Sequence, residues 1–180
     1  MTYPTFNNGD PLPASDLNAI GLWLVKSQTV GAGVSTVNVT NAFSADYDNY
    51  LITYTGGTLA SNANLSLRLG ATTTGYYGVL MYSTPVSGTY NGIGVNNGAN
   101  FTYAGGGGSN GARISINVYT PFLTTRTGVF APYVETGAGS QAYGFFSGNL
   151  DNATSFTDFT IGTNGGALTG GTIRVYGYRN

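Results

Sequence analysis

Along much of the chain apolar and polar residues alternate one by one. Asn64-Leu65-Ser66-Leu67-Arg68-Leu69 places three leucines on one face and Ser66 and Arg68 on the other. Arg113-Ile114-Ser115-Ile116-Asn117-Val118 repeats the device, and Ile173 and Val175 alternate with Arg174 and Tyr176. Successive side chains of a strand point to opposite faces, so these runs predict half-buried antiparallel strands with one wet face. Further strands are expected at Trp23–Thr29, Val34–Thr40, Tyr50–Thr55, Tyr76–Tyr82, Thr89–Val95, Thr127–Glu135, Ala142–Asn149 and Thr157–Gly162. Pro132 has no amide proton to give a ladder, which restricts its strand to a sheet edge or a bulge.

Turn chemistry agrees with that reading. Asn-Gly occurs at Asn8, Asn91, Asn97, Asn110 and Asn164, and both residues tolerate the positive φ of tight hairpins. Gly105 to Gly108, followed by Ser109-Asn110-Gly111, reads as a flexible loop tip, because four glycines bring no side chains to pack. About ten short strands between such turns predict an all-β fold, an antiparallel β-sandwich of jelly-roll type.

The first 21 residues differ from the rest. They are polar and carry Pro4, Pro11 and Pro13. Pro13 suits the first turn of a helix, and Ala14 to Ile20 would make two turns with Leu17 and Ile20 on one side and Gly21 at the end. The expected organisation is an N-terminal arm with one short helix over 1–21 and a sandwich over 22–180.

Composition narrows the chemistry. The 180 residues hold six Lys plus Arg against seven Asp plus Glu, a formal charge of −1, and no His or Cys. Disulfides, thiolate or imidazole nucleophiles and structural zinc sites are therefore excluded. Six cations cannot neutralise a useful length of phosphate backbone, so nucleic acid is not expected as a partner. No apolar run approaches the ~18 residues of a spanning helix, and no basic segment with an apolar run opens the chain, so neither membrane insertion nor a secretory leader is expected.

No cofactor and no metal site are expected. Asp46-Tyr47-Asp48-Asn49 is the densest group of oxygen ligands, yet it lacks the glycine and terminal glutamate of a calcium loop. It reads as a turn in which side chains cap backbone amides, with an ion at Asp46 and Asp48 left open. Asp151 and Asp158 invite comparison with a glycosidase pair, which requires two carboxyls at a fixed separation. No catalytic residue is assigned. The aromatic residues carry more information: 14 Tyr, nine Phe and one Trp. Tyr76, Tyr77, Tyr90 and Tyr103 lie in or beside the Gly- and Asn-rich stretch from Gly75 to Gly111. They are expected either to form a recognition patch for a glycan or protein, or to pair across strands and line an inter-subunit contact.

Three stretches carry a resemblance. Thr5-Phe6-Asn7-Asn8-Gly9-Asp10-Pro11-Leu12-Pro13-Ala14-Ser15-Asp16-Leu17-Asn18 resembles the opening of many tailed-bacteriophage fibre and tail proteins. Phe43-Ser44-Ala45-Asp46-Tyr47-Asp48-Asn49-Tyr50-Leu51-Ile52 is similar to a segment of phage structural β-domains, and Gly171 to Asn180 is similar to their closing strand. The resemblance implies a non-enzymatic virion protein at the particle surface, partnered by other virion proteins and assembled as a homotrimer. Its arm would dock on the particle through Phe6, Leu12, Leu17 and Ile20, with the sandwich facing a host-surface glycan or protein. A tail-fibre or receptor-binding component is the first reading, and a capsid decoration protein the alternative. A carbohydrate-binding module free of any virion and a glycan-cleaving enzyme are the readings outside this class.

The low charge also bears on assembly. Only 7% of residues are charged, against about 25% in ordinary domains. A sheet protein with so few charged gatekeepers risks edge-to-edge association unless neighbours cover it.

Overall fold

The computed structural model describes residues 21–137 and 140–178. The arm's first 20 residues, its expected helix and the anchors Phe6, Leu12, Leu17 and Ile20 lie outside the described residues. What is described is all-β and antiparallel, with no helix, and curls into a sandwich-like sheet. The strands are β1 (Leu22–Thr29), β2 (Thr36–Val39), β3 (Asn49–Leu59), β4 (Ala63–Leu69), β5 (Tyr76–Ser83), β6 (Asn91–Gly98) and β7 (Phe101–Gly108). They continue with β8 (Gly111–Tyr119), β9 (Gly128–Gly137), β10 (Ser140–Leu150), β11 (Phe159–Thr163), β12 (Leu168–Thr169) and β13 (Thr172–Tyr178).

β8 is the branch point of the sheet. One of its edges pairs with β3, from Asn49↔Tyr119 to Gly57↔Ala112, and β3 hands on to β13 and β1. Its other edge is shared: β7 takes Gly111 to Ile114, and β9 takes Asn117 to Tyr119. Two wings leave from there, β7–β4–β11–β2 and β9–β10–β5–β6.

The core fills with the residues that the alternation marks. Leu65, Leu67 and Leu69 are buried, as are Ile114, Ile116 and Val118, and Ile173 and Val175. Two aromatic groups lock the layers; all their pairs but Phe43–Phe159, tilted at 32°, meet ring edge to ring face. Phe43 packs on Tyr50 and Phe159, while Phe101 packs on Tyr76 and Phe146.

One expectation fails. The glycine run is no loop tip but the second half of β7, buried throughout from Ala104 to Gly108. A Cβ built on Gly105 would stand 2.1 Å from the Arg113 carbonyl oxygen, and one on Gly107 only 2.6 Å from the Ala112 Cα. On Gly106 it would come 3.2 Å from the Val134 carbonyl oxygen, because β9 crosses over this strand after leaving β8. The glycines permit close backbone approach; they are not there for flexibility.

Other local expectations divide. Ser109-Asn110 forms the two-residue turn that Gly108↔Gly111 closes. Asn91-Gly92, by contrast, opens β6, and the turn before it is made by Thr84 to Thr89, with the Gly88 amide donating to the Thr84 carbonyl at 3.0 Å. Pro132 pairs with Phe145 on one side and lies past the last β8 rung, Asn117↔Phe130, so its missing N–H costs no ladder bond.

Candidate functional site

The two faces of the β9–β10–β5 wing are unlike those of an ordinary solvated sheet. Alternation sends Ala131, Tyr133, Ala142, Phe146 and Leu80 inward, where they are buried. Phe130, Pro132, Val134, Tyr143, Phe145, Tyr77, Val79 and Met81 are left on the outside. Among the described side chains no outward position of this wing carries a charge; the remaining ones are Gly128, Gln141, Ser147, Asn149 and Ser83. Phe130 and Phe145 stack on each other with centroids 6.1 Å apart while 40% and 44% exposed. Met81, Val79 and Tyr143 extend the patch at 43%, 50% and 47% exposure. At its margin Gly92 and Gly94 face Met81 and Val79, and a Cβ on either would meet nothing within 4 Å. The result is an uncharged, largely apolar surface ending in bare backbone.

Between the wings opens a cleft of about 280 Å³. Its walls are Tyr103 from β7, Tyr133 from β9 and Tyr82 from β5; Leu80, Ile93 and Ala142 supply apolar lining. Asn64, Thr84 and Glu135 bring the remaining polar groups. The buried Tyr133 hydroxyl donates to the Asn64 Oδ1 and also lies 3.3 Å from the Glu135 carboxylate. Tyr103 stands edge-on to Tyr133, with centroids 6.3 Å apart and rings at 79°. Burial first, and then the neighbouring Glu135 charge, push the Tyr133 phenol well above its ordinary value. It stays a neutral donor at any physiological pH.

The structure disperses the four tyrosines singled out from sequence. Tyr76 is wholly buried and so cannot belong to a surface patch. Its hydroxyl accepts from the Leu69 amide at 2.8 Å and faces the Leu69 and Thr72 carbonyls. Tyr77 is half-buried on the outer side of the apolar wing, and Tyr90 stands 77% exposed just before β6. Only Tyr103 reaches the cleft. Tyr82, Tyr133, Glu135 and Asn64 went unmarked, because separate strands bring them together. The one sequence signal was inward alternation ending in polar residues, Tyr133 and Glu135 on β9.

The acidic candidates have structural work. At the Asp46 turn the Ser44 hydroxyl donates to the carboxylate at 3.0 Å, and the Asp46 amide donates to Ser44 Oγ at 3.3 Å, a side-chain-capped turn. Asp151 pairs with Arg126 at 2.6 Å, both exposed. Asp158 accepts from the Asn41 amide at 2.9 Å. Among the described residues no three of His, Cys, Asp and Glu gather closely enough to hold a metal. No family model, no curated protein and no solved structure matches this chain.

Proposed function

We propose that the chain is a non-enzymatic structural subunit of a bacteriophage particle, a tail-fibre or receptor-binding component that assembles as a homotrimer at the particle surface. The observation that carries this reading is the uncharged outer face of β9–β10–β5, with its stacked, half-exposed phenylalanines. Contiguous apolar patches of this kind mark surfaces that another protein covers. A second copy of the chain is the fitting occupant. A face without charge meets itself with no like-charge penalty, and around a symmetry axis the same face of each copy can turn inward.

The resemblance of Thr5–Asn18, Phe43–Ile52 and Gly171–Asn180 to phage tail and structural proteins supplies the class of particle. The separate engagements of Asp151 with Arg126 and of Asp158 with the Asn41 amide favour a structural role over hydrolysis. Immunolabelling of imaged particles tests the assignment. Label at the tail supports it, label spread over the head replaces it with a decoration role, and unlabelled particles refute both. Deleting residues 1–21 should abolish incorporation while leaving the sandwich folded.

A further inference from the structure

We propose that the groove on the β4–β11–β2 wing binds a carboxylate-bearing sugar, of the kind a uronic acid unit of a glycan presents. The groove has two lobes, of about 440 Å³ and about 140 Å³, and Arg68, Thr36 and Thr160 line both. Arg68 is the one charged residue of the smaller lobe, while Asp158 joins it in the larger. The Arg68 Nε–H is buried with no hydrogen-bond partner among the described residues. No described carboxylate pairs with the guanidinium; Asp158 instead accepts from the Asn41 amide at 2.9 Å. A buried donor on a cation is costly without an acceptor, and this cation borders the groove.

A carboxylate carries one negative charge and matches one guanidinium, whose forked N–H groups suit its two oxygens. A phosphate dianion would meet only a single cation. The smaller lobe adds neutral donors in Ser66, Thr36 and Asn100. The Asn100 Oδ1 already accepts from the Thr102 hydroxyl at 3.1 Å, which leaves the amide NH2 to donate. The lobe stays open because position 162 is glycine: a Cβ there would stand 3.2 Å from the Ser66 Oγ. The larger lobe offers acceptors, the Asp158 carboxylate and the Asn38 amide oxygen, to the hydroxyls of a sugar ring. The ligand's carboxylate therefore belongs in the smaller lobe, with Arg68, and its hydroxyls in the larger, with Asp158. The groove shares no residue with the apolar face that carries the assembly reading, so neither inference fails with the other.

The test is an NMR titration of the full chain with glucuronate, methyl glucuronide, glucose and acetate, following the arginine Nε–H resonances. The expected result is saturable binding of glucuronate, at least about tenfold tighter than glucose or acetate. Methyl glucuronide, whose anomeric oxygen is blocked as it is in a glycan, should bind as tightly as the free acid. Arg68→Gln should weaken glucuronate about tenfold or more. Gly162→Ala, which puts a methyl group into the smaller lobe and leaves the charge, should weaken it several-fold, with thermal melts showing both variants folded. No saturable response to glucuronate, equal affinity for glucose or acetate, or unchanged binding in both variants would overturn the site. Failure of methyl glucuronide to bind would overturn its assignment to a glycan.

Discussion

Two wings leave the same strand and obey the same alternation, yet they present opposite surfaces. On β4–β11–β2 the outward residues are Ser66, Arg68, Thr160, Gly162, Thr36 and Asn38, and with Asp158 most of them line a polar groove of about 440 Å³. The Thr160 hydroxyl donates to the Asn38 Oδ1 at 3.3 Å across the strands. On β9–β10–β5 the same outward positions are Phe130, Pro132, Phe145, Tyr143, Val79 and Met81. Inward residues are apolar on both wings because both cover one core. The outward choice is free of that constraint: it is polar on one wing and apolar on the other, where a covering protein is proposed. The scarcity of charge is thus concentrated where a neighbour is proposed to sit.

The largest expected effect concerns β7, the strand over which β9 crosses. Gly105→Val would drive a side chain into the Arg113 carbonyl, and should cost about 3 kcal/mol or more in urea unfolding, or prevent folding. Gly92→Val, at a position where an added Cβ meets nothing within 4 Å, should stay within about 0.5 kcal/mol. Equal costs at the two sites would contradict the close-approach role of β7.

Next comes the surface contrast itself. Phe145→Lys on the apolar wing should weaken self-association by about 2 kcal/mol or more, roughly 30-fold, measured by sedimentation equilibrium. Thr36→Lys on the polar wing should leave it unchanged.

The tyrosines buried in the core give a pH signature. Burial chiefly raises the Tyr76 phenol to about 12, against the ordinary 10.0, while the Leu69 hydrogen bond and the Arg68 charge pull the other way. Tyr50, Tyr54 and Tyr133 are also raised by burial. The folded state then holds phenolic protons that the unfolded chain releases, so stability is full below pH ~10 and falls as pH rises toward ~12. Thermal melts across that window should show the loss. Tyr76→Phe should flatten the slope while costing about 1–2 kcal/mol at neutral pH, since the Leu69 amide loses its acceptor. The smallest effect belongs to the exposed Arg126–Asp151 pair. Asp151→Ala should change stability by about 0.5 kcal/mol or less, and high salt should erase even that.

Strands whose side chains alternate were legible in the sequence residue by residue, as β4, β8 and β13 demonstrate. β7 was not, because glycine carries no side chain to reveal a period and the same composition makes loops. Two clues were nonetheless present: Phe101-Thr102-Tyr103 begins an alternation, and the Asn110 turn before β8 needs a partner strand on its other side. The cleft was legible only at Tyr103. Tyr82, Tyr133 and Glu135 meet because β9 parts from β8 and crosses β7, a tertiary event that no local pattern encodes. The apolar wing stood in the sequence as Val79, Met81, Phe130, Tyr143 and Phe145, but without pairing registers its two faces could not be told apart.

The central claim, that the outer face of β9–β10–β5 is covered by further copies of the chain, is tested most directly by the mass of the protein in solution. Sedimentation equilibrium of the full chain should give a trimer, and Phe130→Asp with Phe145→Lys should give a folded monomer. A wild-type chain that stays monomeric and soluble at high concentration would contradict the claim.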